Sequence, residues 1–155
     1  MPKFSSIRRV NLTVDQAFAI AADVGSYKDF LPLVKRSSIR GDRKSVGNVV
    51  SFDADLQIAF EKLNLRETFS SHVKTDAGTK KVTAISRDGP IKTLKAVWTI
   101  IAAPDGGCDV SIAVDYTMKS MMLQLVVGKL TNFAAQKIMT AFEERGRALY
   151  GARSS

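Results

Sequence analysis

Apolar and polar residues alternate with a period of two through most of the chain after residue 34. The clearest run is residues 51–60, where one face carries only the apolar residues Phe52, Ala54, Leu56, Ile58 and Phe60. Such alternation is typical of a strand with one buried face. Similar runs over residues 62–74, 80–87, 94–100 and 108–118, separated by short turns containing Gly and Pro, predict an antiparallel sheet.

The periodicity then changes to spacings of three and four over residues 118–150, which predicts one long helix ending before Gly151. About 30 residues make a helix on the order of 45 Å long. It must lie across the sheet to bury its apolar stripe, which consists of Met122, Leu125, Val126, Leu130, Phe133, Ala134, Ile138, Ala141, Phe142 and Leu149.

The first two turns of this helix are apolar almost all the way round, through Met121, Met122, Leu123, Leu125, Val126 and Val127. Either flanking loops cover the extra face, or this end lines or gates a hydrophobic cavity, for which flexible Met side chains are well suited. Gly128 follows this segment and lowers helix stability by roughly 1 kcal/mol relative to Ala. It marks either a hinge or a close packing contact.

Before the sheet, residues 3–10 form a predicted strand with apolar anchors. Thr13 and Gln16 have the spacing of a capping box that opens a helix extending to Ala22. One more helical turn over residues 27–31 ends at Pro32. The fold class is therefore α+β: a strand, two short helices, a curved antiparallel sheet of about six to seven strands in all, and a long C-terminal helix. We expect a single domain spanning residues 1–155.

Net charge is the one unusual feature of the composition, with 23 basic and 15 acidic residues giving +8. Such a surface attracts anionic phospholipid or nucleic acid. The densest basic cluster lies around a predicted turn at Gly41 and consists of Lys35, Arg36, Arg40, Arg43 and Lys44. It is either an anionic-surface contact or an ordinary solvated face, and it lacks the interleaved aromatic residues of a single-strand binder.

No apolar run approaches the ~20 residues of a membrane span, and the N-terminus lacks the apolar core of a signal peptide. The single cysteine, Cys108, fits a reducing compartment. We therefore expect a cytoplasmic protein, in possible peripheral contact with the inner face of an anionic membrane.

The sequence contains no recognisable catalytic or metal-binding motif, and we predict neither an enzyme nor a metal site. His72, the only histidine, falls on the polar face of its strand, as do the paired carboxylates Asp53 and Asp55, so solvation explains all three. Cys108 alternates with apolar residues and is most simply a small core residue.

Glu67 is the polar residue that breaks the pattern, because it is in phase with Leu65 and Phe69 on the apolar face. A buried carboxylate costs several kcal/mol unless it is paired or protonated. Either a local bulge or an edge position returns Glu67 to water, or Glu67 is a polar group inside a cavity that orients a ligand head group.

The segment Val24-Gly-Ser-Tyr27-Lys-Asp-Phe30-Leu31-Pro32, together with the order of elements, resembles the START-like, or helix-grip, superfamily. Its V..Y..FLP pattern is similar to that of the branch containing coenzyme Q-binding proteins, polyketide cyclases and RatA-type ribosome-association toxins. Members of this branch often carry an aromatic residue directly after the proline, where Leu33 stands here.

The resemblance implies a cavity between the sheet and the long helix that binds ubiquinone or a similar isoprenoid lipid, with no other cofactor required. We predict a quinone carrier or chaperone for respiration and quinone biosynthesis. The predicted mouth consists of Tyr27, Phe30, Leu31, Pro32, Met121, Met122 and Leu125. The predicted wall consists of Phe52, Leu56, Phe60, Glu67, Phe69, Trp98, Tyr116 and Phe133.

Two alternatives follow from the same resemblance. A RatA-type protein would bind the large ribosomal subunit and block subunit association, with the basic cluster on RNA phosphates. A polyketide cyclase or aromatase would need an acid or base in the cavity, and Glu67 is the only residue that fits.

Overall fold

The computed structural model describes residues 3–60, 65–87 and 91–151. Its strands are β1 (Lys3–Val10), β2 (Val34–Val46), β3 (Val49–Phe60), β4 (Leu65–Asp76), β5 (Lys81–Ser86), β6 (Ile91–Ala102) and β7 (Cys108–Met118). There are two α-helices, α1 (Val14–Ala22) and α2 (Met121–Tyr150). A short 3₁₀ helix (Val24–Asp29) follows α1. The predicted α+β fold is confirmed, as is the strand count.

The strands form one antiparallel sheet in the order β1-β7-β6-β5-β4-β3-β2. The inner face carries the alternating apolar positions that the sequence pattern predicts, and Trp98 pairs across strands with Val82 and Ile112. These residues belong to a buried core that also contains Phe52, Val73, Ile100, Val110, Val114 and Tyr116. The inner face of the sheet is therefore the surface on which α2 and the ligand cavity lie.

The N-terminal helix begins where the sequence predicts. The Thr13 hydroxyl accepts a hydrogen bond from the Gln16 N–H, and the Gln16 side chain accepts one from the Thr13 N–H. This satisfies two amide donors that would otherwise have no partner in the helix. The following 3₁₀ helix starts at Val24, three residues before the predicted turn.

Strand β2 differs from the prediction of a turn at Gly41. The strand continues to Val46, and its register with β3 shifts between Arg40 and Lys44. Gly41 lies within this irregularity with a φ of 69°, a conformation that glycine adopts without strain. The turn that the sequence suggested is thus a bulge within a long edge strand.

Helix α2 is divided into a packed part and an exposed end. Ala135, Met139 and Phe142 are buried against the sheet. Arg8 on β1 reaches the same part of the helix through hydrogen bonds to Thr140 and Gln136 at 2.9 and 3.0 Å. The prediction of one continuous buried stripe is wrong at both ends, because Met122, Leu125 and Leu149 are exposed.

The helix ends as predicted at Gly151, whose φ is 71° and whose N–H donates to the Arg147 carbonyl at 2.8 Å. The predicted turn at residues 88–90 lies outside the described residues, as does the start of the predicted strand at residues 62–64.

Candidate apolar ligand cavity

A cavity of about 250 Å³ lies between the inner face of the sheet and α2. Strands β3 to β7 supply most of its wall, and Ala134 and Ile138 of α2 close one side. Small side chains on the sheet make the space, since Ala54, Ala84 and Ala96 stand where larger residues would fill it. Ligand pockets in proteins are typically about 300–1,000 Å³ and mostly apolar, so this cavity has the expected apolar character and a volume slightly below that range.

Few polar groups face the cavity. Glu67 lies on its wall together with Ile58, its direct cross-strand neighbour on β3. Ser71 lies four residues further along the same face of β4. The register of β3 and β4 is continuous from Phe60 and Leu65 to Val49 and Asp76, so no bulge returns Glu67 to the outer face. The described pairing of β4 with β5 covers only Ser71–Asp76, so Glu67 lies near an open edge of the sheet and is half-buried on the cavity wall.

Tyr27 forms part of the wall, and its hydroxyl group has a hydrogen-bond partner within the protein. The hydroxyl donates a hydrogen bond to the Ala21 carbonyl at the end of α1. Burial raises the pKa of Tyr27 well above its usual range, and a hydrogen bond from Trp98 only partly offsets this effect. Tyr27 is therefore a neutral structural group that fixes α1 against the cavity wall.

Tyr116 is the other buried phenol of the wall. Burial also raises its pKa. Its ring lies edge-on to Phe4 with centroids 6.5 Å apart. It thus contributes an aromatic surface and one neutral hydroxyl to the cavity.

The segment Leu31–Leu33 closes the cavity beside the start of β2. Leu33 has a φ of 74°, which is uncommon for a non-glycine residue. Its carbonyl accepts a hydrogen bond from the Ala59 N–H at 2.8 Å, which ties the turn after Pro32 to β3. Strained backbone of this kind concentrates at functional sites.

The structure brings eight of the predicted ligand-site residues together on the cavity wall: Tyr27, Leu31, Pro32, Leu56, Glu67, Phe69, Trp98 and Tyr116. The side chains of Phe60 and Phe133 lie outside the described part of the chain. Sequence reasoning missed Phe4, Ile91, Met118 and Ile138, which also line the cavity. Met118 could have been predicted from the sequence, because it is in phase with Tyr116 in the same alternating run.

Five predicted residues lie elsewhere. Phe52 is buried outside the cavity, with the Arg43 guanidinium 5.3 Å from its ring centre. Phe30 lies in a separate groove on the other side of Pro32. The predicted mouth residues of α2 neither line the cavity nor lie under flanking loops, because Met121, Met122 and Leu125 are 83%, 76% and 68% exposed.

The predicted basic cluster lies along edge strand β2. Its members are exposed, but at least three of them, Lys35, Arg40 and Arg43, interact within the protein. Arg40 forms an ion pair of 2.9 Å with Asp55, and Arg43 lies over Phe52. The cluster consequently offers less free positive charge than its sequence suggests.

The polar residues that the sequence singled out, His72, Asp53 and Asp55, lie on the outer face of the sheet and not in the cavity. His72 is half exposed and lies 2.9 Å from Asp53 on the outer face of the sheet, whereas Asp55 pairs with Arg40. The described residues contain no cluster of three side chains suited to hold a metal ion. In the same part of the chain, no helix combines the length and hydropathy needed to cross a bilayer.

Two relatives of this chain differ in the function that their names state. The ribosome association toxin RatA of Vibrio cholerae is 26% identical over 151 residues, covering 97% of this chain and 99% of the relative. The mitochondrial coenzyme Q-binding protein COQ10 homolog B of Xenopus laevis is 24% identical over 153 residues, covering 96% of this chain and 59% of the relative. Both similarities extend over nearly all of this chain.

Solved structures share the fold. An 18 kDa protein from Caulobacter crescentus superposes with a TM-score of 0.82 at 27% identity, covering 98% of this chain and all of that one. A Streptomyces aromatase/cyclase, Zhui, superposes with a TM-score of 0.74 at 14% identity, covering 97% and 98%. The family model described as polyketide cyclase / dehydrase and lipid transport matches residues 10–143. With an apolar cavity under the C-terminal helix of a START-like fold, this chain belongs to that family.

Proposed function

We propose that this protein is a non-enzymatic carrier that holds an isoprenoid quinone, such as ubiquinone, between its sheet and α2. The observation that carries the proposal is the cavity itself, whose described wall residues are apolar except for Glu67, Ser71, the hydroxyl groups of Tyr27 and Tyr116 and the indole N–H of Trp98. A quinone ring presents two carbonyl oxygens on an otherwise apolar body. It matches a wall on which few polar groups fix orientation.

The size of the cavity limits what is enclosed. About 250 Å³ suits a head group or a short length of chain rather than a complete long-tailed quinone. The remaining tail would therefore extend past α2, whose N-terminal end is the less buried part of the helix. The similarity to a coenzyme Q-binding protein supports the same ligand class.

The test is organic extraction and native mass spectrometry of the protein purified from its own host. We expect a stoichiometric isoprenoid quinone. Ala96→Phe should remove it by filling the cavity, because Ala96 is on the wall. Ala113→Phe is the matched control, since Ala113 lies on the neighbouring strand β7 with its side chain exposed. No bound lipid, or equal loss in both variants with the fold intact, would contradict the carrier function.

A second function, association with the large ribosomal subunit, is favoured by the similarity to RatA over nearly the full length of both chains. In that case Arg36 and Lys44 on the exposed edge of β2 would contact RNA phosphates. Each phosphate contact contributes about 0.7–0.9 to the slope of log affinity against log salt.

Sedimentation with large subunits at several salt concentrations tests this second function. We expect Arg36→Glu and Lys44→Glu to weaken the association, whereas Ala96→Phe should leave it unchanged. Ribosome binding that survives both charge reversals would exclude the β2 edge as the contact. The cavity variant thus separates the two functions in one protein.

A further inference from the structure

The N-terminal end of α2 carries an exposed apolar surface that the cavity does not use. Met121, Met122 and Leu125 are each more than two-thirds exposed. They are spaced i, i+1 and i+4, which places them on one side of the helix. We call these three residues the α2 tip.

The rotation of the helix that exposes the tip is fixed by a specific contact. The Gln124 side-chain oxygen Oε1 accepts a hydrogen bond from the backbone N–H of Met118 at 3.2 Å. Gln124 is therefore turned toward β7, and Met122, two residues earlier, lies on the opposite side of the helix. The exposure is thus a consequence of the fold rather than of a frayed helix end.

Basic side chains lie at the same end of the sheet. Ile91 at the start of β6 pairs with Met118 at the end of β7, so Lys92 and Lys119 both lie at this end of the sheet. Ser86 pairs with Leu94 at the end of β5, which places Arg87 beside the start of β6. All three basic side chains are exposed.

We propose that the α2 tip and these basic side chains form a surface that docks the protein on an anionic lipid bilayer. Apolar side chains enter the acyl boundary, while Lys and Arg remain at the head groups. Each basic residue near such a surface contributes roughly fivefold to partitioning. The overall charge of +8 acts in the same direction.

The combination of charge and apolar surface favours a bilayer over two other partners, RNA and a second copy of this chain. RNA phosphates would pair with the basic residues but leave three apolar side chains without a partner. A second copy related by a two-fold axis would bring the same basic residues face to face. An anionic bilayer alone matches both the apolar tip and its charge.

The proposal rests on the carrier function for its purpose and deepens it by assigning the surface that meets the lipid store. Met118 lines the cavity, and its backbone N–H also donates the hydrogen bond to Gln124 beside the α2 tip. Docking at the tip would therefore place one end of the cavity next to the bilayer.

Co-sedimentation with quinone-free vesicles tests docking separately from quinone binding. Wild-type protein should bind phosphatidylglycerol/phosphatidylcholine vesicles and not phosphatidylcholine alone. The double variant Met121→Asp, Met122→Asp should bind the anionic vesicles with an affinity at least roughly tenfold lower than that of wild type. Acidic residues in the first turn of a helix are favourable, so this variant should keep its fold. Ile101→Asp is the control, since Ile101 is 57% exposed at the opposite end of β6.

Met122→Trp adds a direct readout of insertion. Its emission should shift to the blue on anionic vesicles and be quenched by brominated lipid. The proposal is overturned if wild-type protein does not bind the vesicles, if the double Asp variant binds as well as wild type, or if sedimentation shows that the tip is buried in a dimer. Vesicle binding without any extractable quinone would refute the carrier function and leave docking intact.

Discussion

The indole ring of Trp98 on β6 packs on the ring of Phe142 on α2, with ring centroids 5.2 Å apart and planes inclined by 31°. Both residues are almost completely buried. Trp98 also lines the cavity, so one aromatic pair joins the sheet, the helix and the ligand site. The C-terminal part of α2 is therefore held at the point where the cavity ends.

Truncating this pair should destabilise the whole fold. We expect Phe142→Ala to lower the free energy of unfolding by about 3–5 kcal/mol, since it removes a buried aromatic side chain and leaves a cavity. Leu149→Ala, on the half-exposed last turn of the same helix, should change stability much less. Urea unfolding followed by circular dichroism measures both. Equal effects would show that the Trp98–Phe142 contact does not anchor α2.

The two glycines of α2 should respond oppositely to alanine. A Cβ on Gly146 would lie 2.5 Å from Cδ1 of Leu12, whereas among the described residues the nearest atom to a Cβ on Gly128 would be the Tyr116 hydroxyl oxygen at 4.0 Å. Gly128→Ala should therefore stabilise the protein by up to about 1 kcal/mol, the difference in helix propensity. Gly146→Ala should destabilise it, because overpacking costs about 1–3 kcal/mol.

Thermal unfolding of both variants makes the comparison within one helix. A rise in melting temperature for Gly146→Ala would mean that Leu12 moves aside freely. The distance at Gly128 does not support the interpretation of that glycine as a close packing contact. If Gly128 is a hinge, the alanine variant should also release ligand more slowly.

Glu67 should affect ligand binding more than stability. We expect Glu67→Gln to weaken binding of a short-chain ubiquinol analogue by roughly tenfold, because a quinol hydroxyl donates to the carboxylate and hydrogen bonds to charged groups contribute about 1.5–3 kcal/mol. Fluorescence titration measures the affinity, and the melting temperature reports the fold. Arg66→Gln is the matched control, because the adjacent side chain points to the opposite, exposed face of β4. Unchanged affinity in Glu67→Gln would remove Glu67 from the site.

The sequence predicts the fold well wherever one face of an element is apolar. Period-two runs locate the strands because inner and outer side chains face different environments. The bulge at Gly41 escaped prediction because residues 35–45 are nearly all polar, apart from Ile39, so neither face is marked. The phase of alternation put Glu67 on the same face as Phe69, and this phase is kept because β4 pairs with β3 without a register shift.

Predictions for the helix end failed for a related reason. A segment that is apolar all round has no preferred face, so its rotation depends on tertiary contacts such as the hydrogen bond from Met118 to Gln124. Alternation also cannot distinguish a filled core from a hollow one. The cavity depends on the combined volumes of residues on all seven strands, including three alanines.

The pH dependence of stability should carry a contribution from Cys108. Burial, reinforced by the carboxylate of Asp109, raises the pKa of this thiol from 9.0 to about 11. Because the folded-state value is the higher one, the stabilisation is fully present below the unfolded pKa and is lost as the pH rises from about 9 to about 11. Over that range, wild-type protein should lose more stability than Cys108→Ala, whose other titrating groups are the same.

Thiol labelling provides the independent check. Cys108 has no exposed surface, and its Sγ lies 4.0 Å from the Thr13 carbonyl oxygen. Reaction with an aromatic disulfide reagent near neutral pH should therefore be slow in the folded protein and fast in urea, because the thiolate is the reacting form. Rapid labelling of the native protein, or parallel pH profiles for wild type and Cys108→Ala, would show that the thiol is more accessible than its packing between β1 and α1 implies.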